Sequence, residues 1–163
     1  MKICIYGLGA IGGFFAARLA AAGVSVNAIA RGATLAAVNR NGLTLEERSD
    51  GKAVRRQFAV QATAEPASLG EQDLVIVTVK TTALATVARD IAPLLGVHTT
   101  VLSAMNGIPW WFFYGLDQDH AALRLQSVDP SGALSAAIDP RRVVGCVTHL
   151  AAAMPAPGVV SAM

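Results

Sequence analysis

Residues 7–12 have the sequence Gly7-Leu8-Gly9-Ala10-Ile11-Gly12, a G-x-G-x-x-G pattern whose flanking segments decide the fold. The pattern follows a predicted strand over residues 2–7, which is rich in β-branched and aromatic side chains. It opens a predicted helix that ends at Gly23 and whose apolar positions share one face: Ile11, Phe15, Leu19 and Ala22. A second strand is predicted over residues 24–30. This order is that of a βαβ unit, with parallel strands and a right-handed crossover.

Each glycine of the pattern meets a physical demand of dinucleotide binding. Gly7 allows a tight turn out of the strand, Gly9 lets the backbone approach a pyrophosphate, and Gly12 lets the helix pack closely on the sheet. The pyrophosphate would lie against free N–H groups at the positive end of the helix dipole. We therefore predict that residues 7–12, with Leu8, Ala10 and Ile11 among them, bind a dinucleotide cofactor.

The residues after the second predicted strand favour NADP over NAD. An NAD site usually places Asp or Glu about 20 residues beyond the glycines, where it holds the ribose 2′-hydroxyl. Here residues 28–32 are Ala-Ile-Ala-Arg-Gly, without an acid. The guanidinium of Arg31 can bind a 2′-phosphate bidentately. The alternative is an exposed arginine at a strand end with no role in nucleotide binding.

The rest of the chain extends the βαβ unit into a larger sheet. Residues 74–79 form a continuous apolar run, which is typical of a parallel strand covered on both faces. The other predicted elements are a helix over 33–39, hairpin strands over 43–46 and 54–60 joined at Ser49-Asp50-Gly51, a helix capped by Thr81 or Thr82 and ended by Pro93, a core strand over 99–103, a short helix to Ile138, and strands over 143–150 and from Gly158. We place the hairpin at the edge of the sheet. The predicted fold class is α/β: one Rossmann-type domain over residues 1–163, doubly wound, with a mainly parallel sheet and an inserted β-hairpin.

Two polar residues follow the ends of later predicted strands. Lys80 comes after the strand over 74–79, and Asn106 comes shortly after the strand over 99–103. Ligands of open parallel sheets bind outside the carboxyl ends of the strands, so both residues are predicted to lie at the cofactor edge. The alternatives are a solvated lysine and, at Asn106-Gly107, an ordinary turn.

At these positions the chain resembles the 2-dehydropantoate 2-reductase (ketopantoate reductase) family. The segments that carry the resemblance are the N-terminal glycine pattern, Ala30-Arg31-Gly32, Asn41-Gly42-Leu43-Thr44-Leu45, Val79-Lys80 and Met105-Asn106-Gly107. The resemblance implies NADPH-dependent reduction of a 2-oxo acid to a 2-hydroxy acid, in pantothenate and coenzyme A synthesis. It also implies that Arg31 binds the 2′-phosphate, and that Lys80 and Asn106 lie beside the nicotinamide and the substrate.

The resemblance further implies a helical C-terminal domain that supplies the proton-donating lysine and a substrate-binding acid. This sequence stops before either residue, so we expect the chain to bind cofactor and to turn over little or no substrate. A homodimer through that second domain is an arrangement that the resemblance allows. The aromatic run over residues 110–114 is expected to serve packing rather than substrate binding.

The composition excludes several other classes of protein. Hydrophobic residues make up 53% of the chain and the formal net charge is +2, which argues against disorder and against nucleic-acid binding. No apolar stretch reaches the roughly 18 residues of a membrane span, so a cytoplasmic location is expected. Cys4 and Cys146 are predicted to be buried free thiols. No metal is expected, because the histidines lack ligand spacing: His98, His120 and His149.

Two other functions remain open on the sequence alone. The chain could be a non-catalytic module that senses a dinucleotide, although such a module has no need of Lys80 and Asn106 near a nicotinamide. It could also be the cofactor domain of another NADP-dependent hydroxyacid dehydrogenase with the same first domain.

Overall fold

The computed structural model describes residues 1–49, 52–116, 120 and 123–162. In chain order the strands and α-helices of these residues are β1 (Ile3–Tyr6), α1 (Ala10–Ala21), β2 (Val26–Ile29), α2 (Gly32–Asn41), β3 (Leu43–Ser49), β4 (Lys52–Phe58), β5 (Gln61–Thr63), β6 (Gln72–Val77), α3 (Leu84–Asp90), β7 (Leu95–Ala104), α4 (Ala133–Ala137), β8 (Val143–Cys146), β9 (Ala152–Ala156) and β10 (Val159–Ala162). Single 3₁₀ turns cover Pro66–Ser68, Thr81–Ala83, Ala92–Leu94 and Pro140–Arg142.

A six-stranded sheet with the order β5-β2-β1-β6-β7-β8 forms the centre of the fold, and all of its neighbouring strands are parallel. β1 lies between β2 and β6, and all four of its side chains are buried. Ile3 and Ile5 belong to the core on one face of the sheet, while Cys4 and Tyr6 belong to the core on the other. This alternation is the period of two that a strand imposes. The predicted Rossmann-type α/β fold is confirmed.

The hairpin of β3 and β4 belongs to a second sheet, so its predicted place at the edge of the main sheet is wrong. The second sheet has the order β4-β3-β10-β9, with β10 parallel to β3 and antiparallel to β9. Leu43 and Leu45 of β3 are fully buried in the same core as residues of α1. Burial of this apolar face against the helix, rather than pairing with the main sheet, determines where the hairpin lies. The predicted turn residues Asp50 and Gly51 lie outside the described residues.

Helix α1 packs against strands of both sheets, and this explains its two adjacent glycines. A Cβ at Gly12 would collide with the carbonyl oxygen of Gly7 and with the Thr78 hydroxyl, and one at Gly13 would lie 2.5 Å from Cγ2 of Val160. The most buried positions of the helix are small: Gly12, Gly13, Ala16 and Ala17. The predicted apolar face is therefore only part of the packing surface. Phe15 and Leu19 pack at the margin of the core.

Several element ends differ from the prediction in ways that affect the site. β6 ends at Val77, so Thr78 leaves the sheet before Lys80. The next helix begins as the 3₁₀ turn Thr81–Ala83, and no threonine side chain caps it. Pairing with neighbouring strands determines where these elements begin and end. The local apolar pattern of the sequence carries no information about that pairing.

The aromatic run over residues 110–114 divides between core and surface. Trp110 is 3% exposed and packs in the core beside α3 and α4, as expected for a packing residue. Phe112 and Tyr114 are 48% and 56% exposed, so packing within the described residues does not account for them.

Two properties of the described residues bear on membrane and metal binding. In the described part of the chain, no helix combines the length and apolar character that crossing a membrane requires. Within the same residues, no group of three or more His, Cys, Asp or Glu side chains is arranged to hold a metal ion.

The two cysteines are expected to differ sharply in reactivity. Burial raises the pKa of the Cys4 thiol to about 12, and its side chain is fully enclosed by the core. Cys146 is a free thiol that is only partly buried. Because the thiolate is the reactive form, iodoacetamide at about pH 8 should modify Cys146 in the folded chain and leave Cys4 intact. Peptide mass spectrometry measures both sites, and the same labelling in urea, where both should react, is the control. Equal rates in the folded chain would contradict the packing of β1.

Candidate active site

The glycine loop between β1 and α1 is held by hydrogen bonds to two neighbouring strands. The N–H groups of Gly7 and Leu8 both donate to the carbonyl oxygen of Ile29 at the end of β2, at 3.1 and 3.2 Å. The Thr78 hydroxyl, just beyond β6, donates to the Gly7 carbonyl at 2.6 Å. Gly7 has φ +106°, a conformation that favours glycine. The loop is therefore fixed in place by the two strands that flank β1.

Gly9 differs from the other two glycines of the pattern because none of the described residues packs against it. It caps the N-terminus of α1, and a Cβ built on it would find no atom of the described part of the chain within 4 Å. Its φ of −88° is ordinary for any residue, so neither packing nor backbone strain requires glycine here. The open space lies where the first-turn N–H groups of α1 lack partners within the helix. A side chain at Gly9 would fill the position that a pyrophosphate needs, and this chain therefore fits the cofactor that the loop suggests.

A cavity of about 640 Å³ runs along the loop and across the carboxyl ends of β2, β1 and β6. It brings together most of the residues predicted to bind cofactor: Gly7, Leu8, Gly9, Ala10, Ile11, Arg31 and Lys80. Gly12 does not line the cavity, because it lies on the side of α1 that packs against Ile5 and Thr78. Since β1 lies between β2 and β6, Arg31 and Lys80 stand on opposite sides of the glycine loop.

A second cavity of about 310 Å³ adjoins the first and contains Asn106. The two cavities share Ile11, Thr78, Val79 and Lys80 in their walls. Lys80 is exposed, and among the described residues its ammonium group has no hydrogen-bond or ion-pair partner. An unpaired cation at the junction of the two cavities can attract a carboxylate or stabilise negative charge that develops on an oxygen.

The side chain of Asn106 joins two parts of the backbone, which the sequence did not indicate. Its Oδ1 accepts a hydrogen bond from the Thr148 N–H at 2.8 Å, and its Nδ2 donates to the Thr148 carbonyl at 3.1 Å. These bonds tie the segment after β7 to the segment between β8 and β9. One N–H and one lone pair of the amide remain available to a ligand. Asn106 thus shapes the second cavity as well as lining it.

An acidic residue that the sequence analysis did not identify pairs with Arg31. Oδ2 of Asp90, the last residue of α3, lies 3.1 Å from Nη2 of Arg31, and its Oδ1 accepts from Nε of Arg89 at 3.0 Å. The Arg89 hydrogen bond, followed by the charges of both arginines, lowers the pKa of this carboxyl despite partial desolvation. No local sequence signal connects two residues that are 59 positions apart.

Tyr6 adds a buried hydroxyl beside this pair. The side chain is 3% exposed, and its hydroxyl has no hydrogen-bond partner among the residues that the structure describes. Burial raises its pKa, and the nearby charge of Asp90 raises it further while that of Arg31 lowers it. Tyr6 also contributes to the wall of the larger cavity.

The parallel sheet, the glycine loop and the cavity at the carboxyl ends of the strands define a Rossmann-type domain. The chain belongs to the ketopantoate reductase PanE/ApbA family, whose model matches residues 3–163. This family consists of NAD(P)H-dependent reductases. The resemblance seen in the sequence is confirmed.

Individual relatives agree with this assignment. The chain is 45% identical over 161 residues to a 2-dehydropantoate 2-reductase of Mesorhizobium japonicum, and the match covers 98% of this chain and 48% of that protein. It is 49% identical, with a TM-score of 0.91, to a protein of Ralstonia solanacearum MolK2 assigned as a ketopantoate reductase, covering 99% of this chain and 49% of the other. A PanE/ApbA family ketopantoate reductase of Ralstonia eutropha JMP134 is 29% identical, with a TM-score of 0.77 and coverage of 99% and 46%. The chain therefore spans about half the length of these relatives.

Proposed function

We propose that this chain is the NADP(H)-binding half of a reductase that converts a 2-oxo acid to a 2-hydroxy acid. The observation that carries the proposal is the open space at Gly9, at the N-terminus of α1 and within the cavity that Arg31 and Lys80 also line. Helix N-termini bind phosphates through free N–H groups and the helix dipole. The proposed domain covers residues 1–163.

Arg31 is the proposed ligand of the 2′-phosphate. It lies two residues beyond the end of β2 and lines the cavity, with its side chain 56% exposed and reachable from solvent. A guanidinium offers five N–H donors, and the bond to Asp90 uses the Nη2 group alone. Donors on the rest of the fork remain available for phosphate oxygens.

Lys80 and Asn106 are the proposed contacts at the nicotinamide and substrate end. NADPH, when bound, supplies the hydride. Reduction of a ketone leaves negative charge on the former carbonyl oxygen, and a nearby cation stabilises it. We assign Lys80 to that electrostatic role and to attraction of the substrate carboxylate, and Asn106 to positioning. The proton donor is proposed to come from outside residues 1–163, so that this chain alone binds cofactor with little or no turnover.

The substrate class follows from the family and from the charge at the site. A 2-oxo acid such as 2-dehydropantoate brings a carboxylate that Lys80 can attract, and its reduction belongs to pantothenate synthesis in the cytoplasm. A module that only senses a dinucleotide would not need an unpaired cation and a fixed amide beyond the glycine loop. The presence of both groups favours the reductase.

Titration of Arg31→Ala against NADPH and NADH tests the cofactor assignment. Loss of the guanidinium should weaken NADPH binding by about tenfold or more, since hydrogen bonds between charged groups contribute about 1.5–3 kcal/mol each. NADH binding should change little. Arg55→Ala, which removes an exposed arginine from the second sheet, is the control. Equal weakening of both nucleotides by Arg31→Ala would contradict the assignment.

A further inference from the structure

The structure places a carboxylate where the sequence indicated none. An acid that reads the ribose 2′-hydroxyl is ordinarily found at the end of β2, and Arg31 takes that position here. Asp90 instead approaches from the end of α3 and pairs with Arg31 at 3.1 Å. At the end of the cavity proposed for the adenosine ribose, Arg31 lines the wall and Asp90, which is not part of the lining, pairs with it.

Asp90 lies on the same face of α3 as a residue that lines the cavity. Thr86 lies four residues earlier, so the two side chains share one face of α3. Thr86 lines the cavity together with Arg31, Thr34 and Tyr6. The Asp90 side chain is 25% exposed, so a ligand that extends from the cavity past Arg31 can reach it. Arg89 and Arg31 lower the pKa of the Asp90 carboxyl and so favour its charged form.

Arg31 and Asp90 have opposite preferences for the two cofactors. A guanidinium attracts a 2′-phosphate, whereas a carboxylate repels it. With NADH the carboxylate can accept a hydrogen bond from the free 2′-hydroxyl, as the acid of an NAD site does. A 2′-phosphate also shares the guanidinium of Arg31 with Asp90, which already accepts from its Nη2 group. Each effect of Asp90 therefore reduces the advantage of NADPH over NADH.

We propose that Asp90 is a specificity-determining residue that lowers the preference for NADPH and lets this site accept NADH as well. The inference rests on the proposed function, because it assumes that the adenosine ribose lies at Arg31. It adds a prediction that does not follow from the role of Arg31 alone. Removal of the negative charge beside the arginine should increase the preference of the site for NADPH over NADH.

The test is the ratio of the NADH and NADPH dissociation constants in Asp90→Asn and in the wild-type chain, measured by calorimetry. The ratio should rise about five- to tenfold, through tighter NADPH binding and weaker NADH binding, since each interaction of an exposed ion pair has a modest effect. Asp90→Ser removes the same charge with a different side chain and should shift the ratio in the same direction. Asp139→Asn neutralises another partly exposed aspartate that pairs with an arginine, Arg141, and should leave the ratio unchanged.

Adenosine 2′-phosphate and adenosine serve as smaller probes of the same end of the site. Asp90→Asn should bind adenosine 2′-phosphate more tightly than the wild-type chain does. It should bind adenosine no more tightly than the wild-type chain. Thermal unfolding checks that Asp90→Asn and Asp90→Ser are folded. An unchanged ratio in folded variants, with wild-type NADPH binding that depends on Arg31, overturns this inference alone. Failure of the wild-type chain to bind either dinucleotide overturns the proposed function and this inference with it.

Discussion

Gly9→Ala is expected to abolish most dinucleotide binding while leaving the fold intact. The added methyl group meets no atom of the described residues within 4 Å and the backbone conformation suits alanine, so the free energy of unfolding should fall by no more than about 1 kcal/mol, since alanine is less favourable than glycine at a helix N-cap. The same methyl group occupies the space proposed for the pyrophosphate. We expect NADPH binding to weaken about 100-fold, equivalent to about 2.7 kcal/mol, because displaced phosphate oxygens lose charge-assisted hydrogen bonds to the backbone.

Calorimetric titration with NADPH and thermal unfolding, made on the same sample, measure the two parts of this prediction. Gly70→Ala provides a control that is distant from the cavity lining, although its φ of +62° means that some stability will be lost there. Wild-type affinity in Gly9→Ala would show that the open space serves no phosphate.

Gly12→Ala is expected to destabilise the chain strongly, in contrast to Gly9→Ala. The new Cβ would collide with the Gly7 carbonyl and the Thr78 hydroxyl and would lie 2.9 Å from Cγ2 of Ile5. Alanine favours helix by up to about 1 kcal/mol over glycine, but overpacking against backbone atoms costs more. We expect a net loss of about 2–3 kcal/mol in the free energy of unfolding and a fall in Tm of about 5–10 °C.

Urea unfolding followed by circular dichroism measures this loss, and Gly9→Ala is the matched control three residues away. The two variants separate the roles that the G-x-G-x-x-G pattern combines: ligand approach at Gly9 and helix packing at Gly12. A stability of Gly12→Ala equal to that of the wild-type chain would contradict the close approach of α1 to β1 and Thr78.

The parts of the fold that were predictable depend on local patterns. The strand over residues 2–7, the glycine turn and the helix after it follow from periodicity and from glycine chemistry within about 20 residues of chain. Lys80 and Arg31 could be placed at one edge because the carboxyl ends of parallel strands meet there. For these residues, the topology of the sheet alone was enough to predict their position in the fold.

The parts that were missed depend on contacts between distant segments. Pairing of β10 with β3 builds the second sheet, and residues more than a hundred positions apart leave no periodic signal of such a contact. For the same reason, the sequence did not predict the hydrogen bond between Asn106 and Thr148 or the ion pair between Arg31 and Asp90. Each of these contacts changes the site, from the shape of the second cavity to the charge beside the proposed 2′-phosphate.

Titration of the ¹⁵N-labelled chain with NADP⁺, followed in the amide spectrum, shows whether the glycine loop and Arg31 bind the cofactor. The chain has a mass of 16.8 kDa, which suits two-dimensional NMR. We predict saturable shifts at the amides of Gly7, Gly9 and Ala10 and at the side chain of Arg31, with the second sheet largely unaffected. Shifts that avoid the glycine loop, or the absence of any shift at millimolar NADP⁺, would contradict the account.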